Sequence, residues 1–161
     1  MTVTHDNEAK MYSAKEYIAS WRNHFGLPIN GESLNDKKRL LFCLDLIQEE
    51  LNELKEEVKN SNFNKMKNEY ADLLFVVNGF GLETGFDDDE VVKPIYKANM
   101  SKLCNTEHDA KITVDAYLKG IHPAAIGKNI ETYYEPVGTY FIIKRKDNHK
   151  VMKSIYFKKA K

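Results

Sequence analysis

The chain has 161 residues, 42% of them hydrophobic, and its 24 basic and 24 acidic side chains cancel to a formal net charge of zero. This composition excludes a disordered polypeptide, and the charge balance excludes a molecule that binds polyanions through its overall charge. The length suits one domain with a small appendage.

Two cysteines, Cys43 and Cys104, form no C-x-x-C motif and indicate no disulfide framework. We therefore expect a reducing, cytoplasmic compartment. No apolar run approaches the ~20 residues of a membrane-spanning helix, and the first residues lack the apolar core of a signal peptide. We expect no association with a membrane.

Four amphipathic helices are predicted before residue 105, because apolar residues recur at spacings of three and four. The first three occupy approximately residues 13–24, 36–59 and 63–83. The fourth begins near the acidic run that starts at Asp87, and Pro94 is expected either to kink it or to mark its first turn.

The C-terminal part is predicted to be different in character. Thr106 and Asp109 resemble a capping box that opens a short helix reaching about Leu118. Residues 139–144 and 151–156 are predicted strands that a loop around Asp147–Asn148 joins into a hairpin, and Tyr133–Tyr134 suggests a third strand. The expected fold is mainly α: a four-helix core in residues 1–105, and an extension in residues 106–161 with a short extra helix and a small β-hairpin or meander.

Residues 49–72 carry the acidic groups from which a function can be inferred. They contain the pattern E-E-x-x-E, a spacer of fifteen residues, and then E-x-x-D. At 100° per residue, the first three acids lie on one side of the second helix beside apolar residues. The last two, three residues apart, share a face of the third helix. In order, the five acids are Glu49, Glu50, Glu53, Glu69 and Asp72.

Asp72 is the residue of this pattern that most favours a metal site. It and Asn78 are the polar side chains in the apolar run from Tyr70 to Phe80, so we expect Asp72 to be buried and to have a partner. Packing the two helices through their apolar sides would bring five carboxylates together. Oxygen ligands suit Mg²⁺ or Mn²⁺, which would convert their repulsion into binding. A glutamate-rich helix is otherwise a solvated surface, and the paired motifs favour the metal site.

The acidic pattern resembles that of the all-α nucleoside-triphosphate pyrophosphohydrolases, the MazG-like superfamily. This superfamily includes dimeric dUTPases, dCTP pyrophosphatases and phosphoribosyl-ATP pyrophosphohydrolases. Residues 99–102 (N-M-S-K) and 150–154 (K-V-M-K-S) resemble segments of the phosphoribosyl-ATP-pyrophosphohydrolase-like branch of phage and bacteria. Pro94 departs from the pattern of that branch.

The resemblance implies an enzyme that hydrolyses a (deoxy)nucleoside triphosphate to the monophosphate and pyrophosphate, in nucleotide-pool sanitation or as a dUTPase or dCTPase. It implies a homodimer or homotetramer, and Mg²⁺ as cofactor with Mn²⁺ as a substitute. Asn99 and Lys102 would contact the phosphate or the sugar. Trp21 is a further substrate-binding candidate through stacking on a base, although its place on an apolar stripe favours the core. The metal ligands and catalytic residues would be Glu49, Glu50, Glu53, Glu69 and Asp72.

Other interpretations stay open at this point. The substrate could be phosphoribosyl-ATP, or the helices could form a non-catalytic interaction module. Nucleic-acid binding by the basic residues after Phe141 is not expected, because basic strands are commonly solvated edges. A di-iron bundle is excluded, because none of the five histidines has Glu three residues before it. The preferred base and sugar cannot be read from these patterns.

Overall fold

The computed structural model describes residues 13–160, which contain five α-helices and one antiparallel pair of β-strands. The predicted mainly α fold with a C-terminal hairpin is confirmed. No helix in this range is long and apolar enough to cross a membrane. The bounds are α1 Ala14–His24, α2 Lys37–Lys59, α3 Phe63–Thr84, α4 Asp88–Met100, α5 Glu107–Leu118, β1 Thr132–Val137 and β2 Tyr140–Arg145.

The chain is divided into two compact units, of which the first ends at Asp88 and the second begins at Asp89. The second unit therefore includes nearly all of α4, which the sequence analysis assigned to the core. The predicted division into a core of residues 1–105 and an extension of residues 106–161 stays a prediction.

Side-chain caps fix the beginnings of the first three helices. Ser13 accepts from the backbone N–H of Glu16 and completes a capping box at α1, Asp36 caps α2 and Asn62 caps α3. Gly85 ends α3 in the left-handed region at φ 71°, a conformation that costs a residue without Cβ little. Because each cap is a local signal, the predicted bounds of these helices agree with the structure to within one residue.

The first unit is built on α2 and α3, which pack together along their lengths, with α1 against α3. Only residues 60–62 join α2 to α3. Arg39, near the start of α2, bonds to Glu83, near the end of α3, while Glu50 approaches Asp72 near the middle of each helix. The two helices therefore run antiparallel.

A buried ion cluster joins the ends of the three helices. The side chain of Glu83 is fully buried and accepts hydrogen bonds from Nη2 of Arg22 and from Nε and Nη2 of Arg39, the last two at 2.8 and 2.6 Å. Nε of Arg22 also donates to the carbonyl oxygen of Pro28 at 3.0 Å. Gly79 makes room for this arginine, since a Cβ there would lie 2.9 Å from its Nη1.

The cluster determines the ionisation of Glu83. Burial by itself raises the pKa of this carboxyl, but hydrogen bonds from Arg39, Ser33, Cys43 and Arg22 lower its pKa to about 2. Glu83 is therefore ionised at neutral pH although no part of its side chain reaches solvent. Removing one member of such a cluster leaves a buried charge without compensation.

The second unit packs α5 against the β-hairpin. Its buried core comprises Cys104, Ala110, Tyr117 and Ile143. Helix α4 begins at Asp88 and contains Pro94 in its interior, so the alternative in which this proline marks the first turn was wrong.

The hairpin itself corrects the predicted strand pairing. β1 pairs with β2 through the two-residue loop Gly138–Thr139, and Gly138 has the positive φ that such tight turns require. The predicted strand at 151–156 contributes an isolated bridge from Val151 to Lys144. Its Ser154 is instead buried and donates to the carbonyl oxygen of Ser101 at 2.8 Å. Met152 of the same segment packs against the core of this unit, so this part of the segment contributes to packing and not to a β-ladder.

Acidification is expected to destabilise the protein through Glu83. The pKa of Glu83, about 2, lies below the ordinary value of 4.5. The stabilisation that ionised Glu83 gives to the folded state is therefore complete above about pH 4.5 and is lost as the pH falls towards 2. The shift corresponds to about 3 kcal/mol at neutral pH. We expect Glu83→Gln to lower the free energy of unfolding in urea by about 3–5 kcal/mol at neutral pH, with a smaller deficit at about pH 3. Glu32→Gln, at an exposed site, is the control, and a deficit that is independent of pH would contradict this assignment.

Candidate metal centre

Antiparallel packing of α2 on α3 brings three of the predicted acids together. Carboxylate oxygens of Glu50, Glu69 and Asp72 lie within 4.8 Å of one another. Within residues 13–160 this is the one group of three or more potential metal-ligating side chains at such spacing. Glu50 comes from α2 and the other two from α3, so the group depends on the packing of the helix pair.

The surroundings of Asp72 differ from the expectation. Glu50 and Glu69 are half-buried, but Asp72 is exposed, so the predicted burial of this residue was wrong. Tyr70 and Ala71 beside it are exposed as well, because this turn of α3 lies at the open edge of the helix pair. Asp72 thus needs no buried partner, and its proximity to Glu50 comes from helix packing.

The remaining two predicted acids act on this group through charge. Partial burial raises the pKa of Glu50, and the charges of Glu53, Asp72, Glu49 and Glu69 raise it further, in that order. Partial burial also raises the pKa of Glu69, followed by a hydrogen bond with Glu53 and by the charges of Glu53, Asp72 and Glu57. The charges of the other four acids of the motif therefore oppose the ionisation of Glu50 in the absence of a cation.

The donor set fits a hard divalent cation. All the ligand atoms are carboxylate oxygens, the type that Mg²⁺ and Mn²⁺ prefer, and no histidine or cysteine belongs to the group. Two oxygens bound to one ion at roughly 2.0–2.6 Å lie at most about 5 Å apart. The carboxylate oxygens of Glu50, Glu69 and Asp72 are at most 4.8 Å apart, a separation that is compatible with binding to one cation.

A cavity of about 330 Å³ lies beside the acids in the first unit. Its wall includes Leu46, four residues before Glu50, and Phe75, three residues after Asp72. Trp21 lines the cavity, is 40% exposed and makes an edge-to-face contact with Phe75 at a centroid distance of 5.0 Å. The role of Trp21 in substrate binding stays a prediction. The cavity beside this residue is a space that a ligand could occupy.

Several side chains around this cavity were absent from the sequence-based set. Phe42 shares the helical arc of the three α2 glutamates, a signal that could have placed it near the site. Arg39 and Glu83 gave no such signal, because their pairing joins residues that are 44 positions apart.

The predicted phosphate contacts belong to the second unit. Asn99 is exposed in the last turn of α4. Lys102 lies beyond the end of this helix, and its backbone N–H donates to the carbonyl oxygen of Asn99 at 3.1 Å. Their roles stay predictions.

Several basic residues of the C-terminal segment are paired with acids. Lys146 bonds to Glu131 at 3.2 Å, Arg145 lies 2.9 Å from Asp147, and Lys144 forms an ion pair with Glu135. These ion pairs reduce the positive charge that the hairpin presents to a polyanion.

Comparison with known proteins identifies a matching family model and a viral relative. A family model described as "Phosphoribosyl-ATP pyrophosphohydrolase" matches residues 28–99, a range that holds all five acids and Asn99. An uncharacterized protein, L479, of Acanthamoeba polyphaga mimivirus is 30% identical over 129 residues, which are 79% of this chain and 49% of the viral protein. The chain thus spans about half the length of this relative. The family match confirms the resemblance inferred from the acidic pattern.

Divalent cations are expected to stabilise the folded protein, because only the folded state gathers these acids. With free Mg²⁺ or Mn²⁺ at about 100 times its Kd, the melting temperature should rise by about 5–10 °C. Asp72→Asn should lose most of this rise, and without the cation it should melt slightly higher than the wild type because one repelling charge is gone.

Asp45→Asn, on the exposed side of α2, is the matched control and should keep the full rise. Differential scanning calorimetry measures all three proteins. An unchanged melting temperature of the wild type in either cation would favour the interpretation as a non-catalytic helical module.

Proposed function

We propose that this protein hydrolyses a nucleoside triphosphate to the monophosphate and pyrophosphate, because a model of the phosphoribosyl-ATP pyrophosphohydrolase family, a branch of the all-α nucleotide pyrophosphohydrolases, matches residues 28–99. The observation that carries this proposal is the group of carboxylate oxygens of Glu50, Glu69 and Asp72 within 4.8 Å. It lies inside the matched range and has the ligand chemistry that a polyphosphate-bound cation requires.

Mg²⁺ is the proposed cofactor, with Mn²⁺ as a substitute. Glu50, Glu69 and Asp72 would hold it, with Glu49 and Glu53 as the adjoining acids that complete the charge. When bound, such a cation neutralises phosphate charge and lowers the pKa of a coordinated water. The raised pKa values of Glu50 and Glu69 mean that protons compete for the site, so activity should fall on acidification.

The chain's own residues have a second task, which is handling the proton of the attacking water. Glu53 is the neighbouring acid that raises the pKa of Glu69 most, through a hydrogen bond and through its charge. This pair is placed to orient a water and to receive its proton. Phosphoryl transfer otherwise depends on positioning, for which Asn99 and Lys102 are the proposed contacts to phosphate or sugar.

Two classes of substrate are candidates for this activity. A canonical or damaged (deoxy)nucleoside triphosphate suits a role in nucleotide-pool sanitation, in the cytoplasm. Phosphoribosyl-ATP is equally supported, because it appears in the description of the matching family. Both compounds contain the phosphoanhydride bond that water is proposed to hydrolyse at this site, so one assay panel compares them.

Pyrophosphate release is the direct measurement of this activity. With Mg²⁺, the wild type should release pyrophosphate and not orthophosphate from at least one nucleotide of the panel. Glu50→Gln should lower kcat by about 10²–10⁴-fold, because the site loses a cation ligand that also sets its charge. Its circular dichroism spectrum should stay that of the wild type.

Glu56→Gln is the matched control for that variant. Glu56 lies on the same helix but bonds outward, to Asn60 and Lys59, so this substitution should change kcat less than about twofold. Equal activity of the Glu50 and Glu56 variants would contradict the proposed site.

We also propose a homodimer or homotetramer, formed through the sides of α2 and α3 that the chain leaves uncovered. Leu44 and Val77 belong to the apolar stripes of these helices, yet they are 47% and 45% exposed. Val58 and Tyr70, on the same two stripes, are also exposed. An apolar face of this extent on two adjacent helices is typical of a protein–protein interface.

A charge on this face should dissociate the oligomer. We expect Leu44→Lys to reduce the molar mass measured by multi-angle light scattering to that of one chain, because its ammonium group would be desolvated in the interface. Asp45→Lys introduces the same side chain about 100° around the helix from Leu44, at an exposed polar site, and should leave the mass unchanged. A wild type of monomeric mass would refute the proposed assembly.

A further inference from the structure

We propose that the cavity between α1, α2 and α3 binds the base of the nucleotide, and that Arg39 selects keto bases, namely uracil, thymine and guanine, over the amino bases cytosine and adenine. This inference rests on the proposed hydrolysis at the acids, because it assigns the other end of the same substrate. It also decides between the substrate candidates, since phosphoribosyl-ATP carries an amino base.

The position of the cavity matches the shape of a nucleotide. Leu46 in its wall is four residues before Glu50, which is about 6 Å along the axis of α2. Arg39 is eleven residues before Glu50, about 16 Å along the same axis. A nucleoside triphosphate is elongated, with phosphates at one end and the outer edge of the base at the other. Phosphates at the acids therefore direct the base into the cavity and its outer edge towards Arg39.

The walls of the cavity suit a flat aromatic ligand. Trp21, Phe42, Phe75 and Phe80 all line it. Trp21 contacts Phe75 edge-to-face and Phe25 at a centroid distance of 4.7 Å, so its ring is held in place while 40% of the residue stays exposed. A base that stacks among such rings buries both of its faces, an interaction worth about 10-fold or more in affinity.

Arg39 presents hydrogen-bond donors in a fixed orientation. Its Nε and Nη2 donate to the two oxygens of Glu83 at 2.8 and 2.6 Å, which fixes the plane of the guanidinium. Its Cζ lies 5.1 Å from the centre of the Phe42 ring. No residue between 13 and 160 accepts a hydrogen bond from its Nη1. The side chain is 26% exposed, so a ligand in the cavity can reach the unused donors.

The charge of this cluster favours an acceptor. Arg22 and Arg39 carry two positive charges and Glu83 carries one negative charge, which leaves a surplus of one positive charge beside an apolar cavity. The further acid that acts on Arg39 is the exposed Asp36 at the cap of α2. A carbonyl oxygen placed against Nη1 would accept a charge-assisted hydrogen bond.

Base chemistry then gives the selectivity. At the edge remote from the sugar, uracil, thymine and guanine carry a carbonyl oxygen, whereas cytosine and adenine carry an amino group. The amino group would oppose the N–H donors of Arg39 and leave both sides unpaired. For a partly solvated site, losing one hydrogen bond to a charged group corresponds to about 10- to 100-fold weaker binding.

Trp21 provides a reporter of occupancy that does not depend on catalysis. It is the single tryptophan of the chain, so a ¹⁵N-labelled sample has one indole N–H signal. Titration with 2′-deoxynucleosides, without phosphate and without a divalent cation, should shift this signal saturably for deoxyuridine, thymidine and deoxyguanosine. Deoxycytidine and deoxyadenosine should bind at least about 10-fold more weakly.

Arg39→Lys tests the selecting residue. Lysine keeps a positive charge beside Glu83 but has no second, forked set of donors, so the preference for keto over amino bases should disappear. The matched control is Arg145→Lys in β2, whose guanidinium pairs with Asp147; it should keep the preference of the wild type. Circular dichroism establishes that each variant is folded.

Leu46→Phe is a second variant that leaves the ion cluster intact. The added ring fills part of the cavity, so all nucleosides should bind more weakly while the keto preference of the residual binding stays. If Arg39→Lys fails to fold, this variant still tests whether the nucleosides bind in this cavity, and unchanged affinities in Leu46→Phe would overturn the base site.

The outcomes separate this inference from the proposed function. Pyrophosphate release with no shift of the Trp21 signal, or with equal affinity for keto and amino bases, would overturn the base site and leave the proposed hydrolysis standing. A saturable, keto-selective shift in a protein that releases no pyrophosphate would support the base site and refute the hydrolysis.

Discussion

The antiparallel packing of α2 against α3 is the interaction on which the rest of this protein depends. It brings Glu50 from one helix to Glu69 and Asp72 on the other, and at the far end it brings Arg39 to Glu83. The same pair of helices leaves a cavity between these two polar groups. One packing geometry therefore positions the acids, the ion cluster and the space for a ligand.

The two polar groups illustrate opposite uses of carboxylates. Glu83 is buried, but donors from two arginines hold its pKa at about 2, so the group is satisfied within the chain and stabilises the fold. Glu50 and Glu69 face other acids, and their pKa values are raised, so this group lacks compensation from the chain. An arrangement that is unfavourable alone and favourable with a cation is typical of a functional site, where proteins retain local destabilisation.

Local signals explain which features could be predicted from the sequence. Caps such as Asp36 and Asn62 act within four residues, and helix geometry places Glu69 and Asp72 on one face of α3, so the helices and the proximity of these two acids to Glu50 were predictable. The exposure of Asp72 was not, because it depends on which turn of α3 lies at the open edge. The hairpin was mispaired because the β-like residues 151–156 carry a stronger pattern than β1, which contains Pro136.

The most direct test of this account is where a cation binds. Crystals grown with Mn²⁺ and measured at the manganese absorption edge should show an anomalous peak between α2 and α3, within about 2.0–2.6 Å of carboxylate oxygens of Glu50, Glu69 and Asp72. A structure with saturating Mn²⁺ in which these three side chains bind no ion and point away from one another would contradict the central claim.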